Sequence, residues 1–82
     1  MKKLGVVTHY FGKIQVAVLD LTRNVKLGDM VRFDGYLTEF EQRIDSMQVD
    51  KQPIDEAKKG TEIALKVVER VRPGDEMWEV EE

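Results

Sequence analysis

A base and a nucleophile are the first requirements of most enzymes, and this chain supplies them thinly. Its one histidine, His9, could act as a base, and Ser46 as a nucleophile. Their spacing carries no signature, and no Gly-x-Ser-x-Gly elbow surrounds Ser46. Asp50, Asp55 and Glu56 could offer an acid/base pair or hold a cation. They lack calcium-loop spacing and have no second catalytic group beside them, so a solvated turn is the better account. Cysteine is absent, which removes disulfides and thiolate metal sites. With one histidine, a zinc site would need carboxylates for nearly all its ligands. The expectation is a protein that is not an enzyme and needs no cofactor.

Binding chemistry is better represented. In His9-Tyr10-Phe11-Gly12-Lys13, aromatic side chains at a strand end adjoin a basic turn. They could stack on bases while Lys13 meets a phosphate. The plainer reading is that Tyr10 or Phe11 closes one end of the core and His9 is solvated. Arg23, Lys26 and Arg32, with Lys2 and Lys3, could form a basic stripe whose phosphate contacts weaken steeply with salt. The competing reading is a mixed surface, since Asp20, Asp29 and Asp34 are interleaved. Lys58-Lys59 follows Asp55-Glu56 within one turn, which favours local pairing. Met77 and Trp78 are strand neighbours, so one should point inward and one outward. Trp78 would then either mark a docking surface or cover the barrel base.

Charge narrows these options. The 82-residue chain has a formal net charge of −3, so as a whole it lacks a nucleic-acid-binding signature. Positions 1 to 43 hold seven Lys/Arg and five Asp/Glu, while positions 44 to 82 hold six and eleven. Any basic patch belongs to the first half, and the Glu79-Val80-Glu81-Glu82 tail would repel phosphate. No signal peptide and no membrane span is legible, which makes a soluble, cytoplasmic protein the default.

The elements that must position these residues read as strands. Val25 to Tyr36 contains a Lys-Leu-Gly-Asp turn, a Met30–Phe33 strand and an Asp34-Gly35 hairpin signal. The same order returns in Val71 to Val80, where Arg72-Pro73-Gly74-Asp75 leads into Met77 to Val80. Leu4 to Phe11 is a first strand, turned by Phe11-Gly12-Lys13. Ile14 to Leu21 is a second, with Ala17, Leu19 and Leu21 on one face. Thr22 to Lys26 is a polar connection. Thr38 to Val49 is a long strand whose apolar phase changes after Ile44, which predicts a β-bulge near Asp45-Ser46. Lys51-Gln52-Pro53 should end it. Ile54 to Lys59 permits one helical turn before Gly60. Thr61 to Val68 alternates cleanly, with Ile63, Leu65 and Val67 inward. The expectation is all-β: one domain, positions 1 to 82, forming a small six-stranded, mostly antiparallel β-barrel.

The order VKLGDMVRF, FEQRIDSMQVD, PIDEAKKGTEIALKV, VRPGDEMW resembles the second domain, a β-barrel, of translational GTPases such as elongation factor Tu. It is also similar to free-standing elongation-factor-like proteins and to the C-terminal barrel of collagenase-like peptidases. The resemblance implies an elongation-factor domain-two barrel that binds RNA or the ribosome. No phosphate loop is present, so nucleotide binding is not implied. Gly60-Thr61-Glu62 stands where the family has Gly-Glu-Asn, and Phe11-Gly12-Lys13 where it has Gly-Arg-Gly, so aminoacyl-tRNA binding does not carry over. The partner contacts expected are His9, Tyr10, Phe11, Lys13, Arg23, Lys26, Arg32 and Trp78. The alternative is a protein-docking accessory module for a peptidase-like or RNA-modifying enzyme, with apolar contacts around Met77 and Trp78. No membrane association is expected.

Overall fold

A computed structural model describes residues 2–80, and every regular element among them is a strand. In chain order these are β1 Lys3–Phe11, β2 Val16–Leu21, β3 Val25–Lys26, β4 Met30–Asp34, β5 Glu39–Arg43, β6 Met47–Val49, β7 Gln52–Ile54, β8 Glu56–Ala57, β9 Glu62–Lys66 and β10 Glu76–Glu79. One sheet runs β5-β4-β10-β1-β2-β9-β6-β7, and β3 pairs separately with β8. All pairings are antiparallel.

The long Thr38–Val49 stretch curls this sheet into a barrel. Its first half, β5, pairs with β4, and its second half, β6, pairs with β9 on the other side of the sheet. The switch takes three residues. Ile44 still bonds β4's approach, donating to Asp29 O at 2.8 Å and accepting from Gly28 N at 2.9 Å. Two residues later Ser46 O accepts from Lys66 N at 3.3 Å. Gln42 spans the same seam: its Nε2 donates to Lys66 O and its Oε1 accepts from Val68 N, each at 2.9 Å. The six barrel strands expected from sequence are therefore β1, β2, β4, β5 with β6, β9 and β10.

The phase change in this stretch is real, with Phe40, Gln42 and Ile44 buried before the corner and Met47 after it. Its cause is not the expected bulge. The strand breaks and changes partner. Register shifts occur instead in β1, between Lys3 and Gly5 and between Val7 and His9. A side chain at position 5 would bring a Cβ to 2.7 Å from Asp20 O, so the close approach of β2 to β1 there requires glycine.

Three further expectations are corrected. Ile54 to Lys59 forms no helical turn, because β7 and β8 occupy it. Asp50-Lys51 is a tight hairpin turn with both residues at positive φ (51° and 66°), so the chain reverses and Pro53 sits within β7 at the sheet margin. A margin strand can carry proline because its outer N–H is not needed by the ladder. Within the polar connection, Val25 is buried and pairs with Ala57.

The core follows period-2 alternation. Ala17, Leu19 and Leu21 from β2 meet Ile63, Leu65 and Val67 from β9 and its extension, all buried. Phe33 and Phe40 stack across β4–β5, with ring centroids 5.1 Å apart. Three strands start from one kind of turn. In Lys26–Asp29, Lys58–Thr61 and Arg72–Asp75 the last residue's N–H donates to the first residue's carbonyl (3.2, 3.1 and 3.0 Å). The third residue is glycine each time, at φ 93°, 87° and 95°, as a type II turn demands. Asp29 and Asp75 brace their turns by accepting from Lys26 N and Arg72 N through Oδ2, at 3.0 and 2.9 Å.

Candidate functional site

The residues expected to contact a partner do not form one surface. His9, Tyr10 and Phe11 end β1, where the Val7–His9 register shift re-aims the side chains. Tyr10 packs partly buried against the core, while His9 and Phe11 stack on the outside with centroids 6.4 Å apart. The plainer reading of this motif thus holds for Tyr10 and His9, but Phe11 is 52% exposed and closes nothing. Phe11 lies opposite Val16 and His9 opposite Val18, both valines being on the outer face of β2. Ala64 of β9 continues the row beside Val18, and Ile14 in the β1–β2 turn is 59% exposed. Lys13 sits exposed in that turn. The result is an apolar outer face on β1, β2 and β9 with a basic residue at its edge.

The basic stripe is not assembled as expected. Arg32, on the outer face of β4, is ion-paired through Nη2 with Glu39 at 3.0 Å and through Nη1 with Glu41 at 3.6 Å. The Glu39 hydrogen bond, with the nearby carboxylates, raises its pKa further. The guanidinium is charged at any accessible pH, so the consequence is occupancy rather than titration. Lys26 lies opposite Glu56 across β3–β8. Lys2, Lys3 and Arg23 do converge, and they meet Lys59 rather than Arg32 or Lys26 around an open cavity of about 670 Å³. Lys3 is paired with Glu76 at 3.3 Å.

Met77 is fully buried and Trp78 half-buried on the outer face, between Lys3 of β1 and Arg32 of β4. The inward–outward division is as expected, but this is not the chain's exposed apolar surface. Besides Phe11 and Ile14, the exposed apolar residues include some not singled out from sequence. Tyr36 at the β4–β5 hairpin tip is 98% exposed, and Leu37 and Val68 are 67% and 63% exposed. The legible signal was an aromatic just beyond Asp34-Gly35, where a hairpin tip has no neighbour to cover it.

His9 Nδ1 lies 3.3 Å from Thr8 Oγ1, and Ser46 forms the β5–β6 corner through its backbone. Among the described residues no three His, Asp or Glu side chains form a group able to hold a metal ion. Also among them, no helix is long and apolar enough to cross a membrane.

The chain is similar to part of a protease and to the C-terminal domain of a second such protein. No protein-family profile matches the chain. It is 31% identical over 81 residues to an uncharacterized protease of Methanocaldococcus jannaschii. That alignment covers 98% of this chain but 20% of the protease, so the chain spans about a fifth of its relative's length. Two crystal structures of the C-terminal domain of a Geobacillus thermoleovorans protein described as a U32 peptidase, one of them a selenomethionine variant, superpose with a TM-score of 0.91. They are 22% identical to this chain and cover 96% and 98% of it, matching 100% and 93% of the domain. At that identity the likeness establishes the fold. The peptidase-barrel half of the resemblance is supported, and the elongation-factor half is not.

Proposed function

We propose that this barrel is a non-catalytic accessory module that docks on a peptidase-like domain, in its own or a separate polypeptide. The observation that carries this reading is the likeness of almost the whole chain to a fifth of a protease, in a fold also seen as a peptidase C-terminal domain. The contact surface we assign is the outer face bearing His9, Phe11, Ile14, Val16 and Val18, with Lys13 at its rim. An apolar strip of this kind, exposed at Phe11 and Ile14 in the free barrel, suits a persistent protein contact. The RNA-directed reading has less behind it, because Glu39 and Glu41 occupy Arg32 and Lys26 lies apart from Arg23.

Crosslinking in native lysate, followed by mass spectrometry and sedimentation, tests this. The expected result is a crosslink from the β1–β2 face to a peptidase-like domain, in a complex that survives ribonuclease and high salt. Phe11→Ser with Ile14→Ser should abolish it while leaving the barrel folded. Co-migration with ribosomes that ribonuclease abolishes would overturn the reading.

A further inference from the structure

We infer that the cavity between Lys2, Arg23 and Lys59 is a pocket for the carboxylate side chains of a short acidic polypeptide segment. It lies at the opposite end of β1 from the Phe11 face and does not depend on the docking reading.

The cavity draws cations from three separate stretches: the start of the chain, the link after β2, and the turn before β9. Among the described residues its lining carries Lys2, Lys3, Arg23 and Lys59 against the carboxylate of Glu79, in a chain whose overall charge is −3. Lys3 is satisfied by Glu76, leaving Lys2, Arg23 and Lys59 to one acid among the described lining residues. Gathering like charges is unfavourable, and an anion between them reverses the sign of the interaction.

The backbone around the cavity is held before any ligand arrives. Thr22 N donates to Leu4 O at 2.8 Å, and Thr22 Oγ1 to Lys3 O at 3.0 Å. Lys59 N donates to Asn24 Oδ1 at 2.8 Å, Gly60 N to Leu21 O at 2.9 Å and Glu79 N to Lys2 O at 2.8 Å. Because Asn24 spends its oxygen on Lys59, its NH₂ remains a donor in the lining. Such preorganisation lowers the ordering cost of binding.

The lining favours a polypeptide over a nucleic acid. Single-stranded nucleic acids are held by aromatic stacking as well as charge. Among the described residues no aromatic lines this cavity, and Leu4 supplies its apolar wall. Exposed Phe11 and Tyr36 lie at the far ends of β1 and β4.

The test is amide chemical-shift titration of the ¹⁵N-labelled chain at low salt with three probes: hexaglutamate, hexauridylate and inorganic phosphate. Hexaglutamate should give saturable shifts centred on Thr22, Arg23, Asn24, Lys59 and Gly60. Arg23→Glu with Lys59→Glu, both exposed positions, should weaken it at least tenfold. Lys66→Glu with Arg70→Glu, at the other end, should change it less than threefold. Absence of saturation, or equal weakening by both variants, would overturn the pocket. Tighter binding of hexauridylate at the same amides would overturn the polypeptide assignment, as would phosphate matching hexaglutamate.

Discussion

Replacing Gly35 with alanine should destabilise the barrel through one named atom. A Cβ at this position would lie 2.0 Å from Asp75 Oδ1 and 2.6 Å from its Cγ. Asp75 has no free route away, because it is buried and its Oδ2 accepts from both Thr38 Oγ1 and Arg72 N. Hydrogen bonds to a charged group contribute about 1.5–3 kcal/mol each. Displacing the carboxylate loses most of two, so Gly35→Ala should cost about 3–5 kcal/mol. A chain of this length has roughly 4–12 kcal/mol of stability in all, so the loss is a large fraction. Urea unfolding followed by fluorescence of Trp78, the single tryptophan, gives the number. The mechanism is isolated by a double-mutant cycle with Asp75→Ala. Once the carboxylate is gone, the nearest remaining atom is the residue-75 Cβ at 3.3 Å, tight but tolerable. In that background Gly35→Ala should cost less than about 1 kcal/mol, a coupling of about 2–4 kcal/mol. Two effects that simply add, within about 0.5 kcal/mol, would refute the account.

Further outcomes follow from the same geometry. Gln42→Leu removes the side chain that bonds Lys66 O and Val68 N across the seam. It should lower the unfolding free energy read from urea titration by about 1–3 kcal/mol, with Gln42→Glu failing to restore it because the donor is lost. Lys51→Gly should stabilise the β6–β7 hairpin by about 0.5–1 kcal/mol, since φ 66° is strained for lysine and natural to glycine. A lower melting temperature would refute that. Gly74→Ala meets open space at φ 95° and should cost only the backbone strain, about 1–2 kcal/mol. Gly5→Ala, which meets the Asp20 carbonyl at 2.7 Å, should cost more in the same thermal melts.

What the sequence determined by itself was whatever repeats along the chain. Ile63, Leu65 and Val67 alternate with Glu62 and Lys66, and only a strand gives that spacing a single buried face. Gly28 and Gly74, each followed by aspartate, announced turns because a positive φ and a side-chain brace are local needs. Even the change of phase between Ile44 and Met47 was legible. That the strand there breaks and changes partner was not, since pairing with Lys66 depends on a residue twenty positions away. The two-residue strands β3 and β8 are too short to show a period, so a helical turn at Ile54 to Lys59 was equally permitted. Tertiary structure alone decided which charges act together. Arg23 and Lys26 are neighbours in sequence, yet Arg23 joins Lys2 and Lys59 while Lys26 faces Glu56, and Arg32 is held by Glu39 and Glu41. Alternation is set by the backbone of one strand, whereas convergence is set by how the sheet curls, and no local pattern encodes the curl.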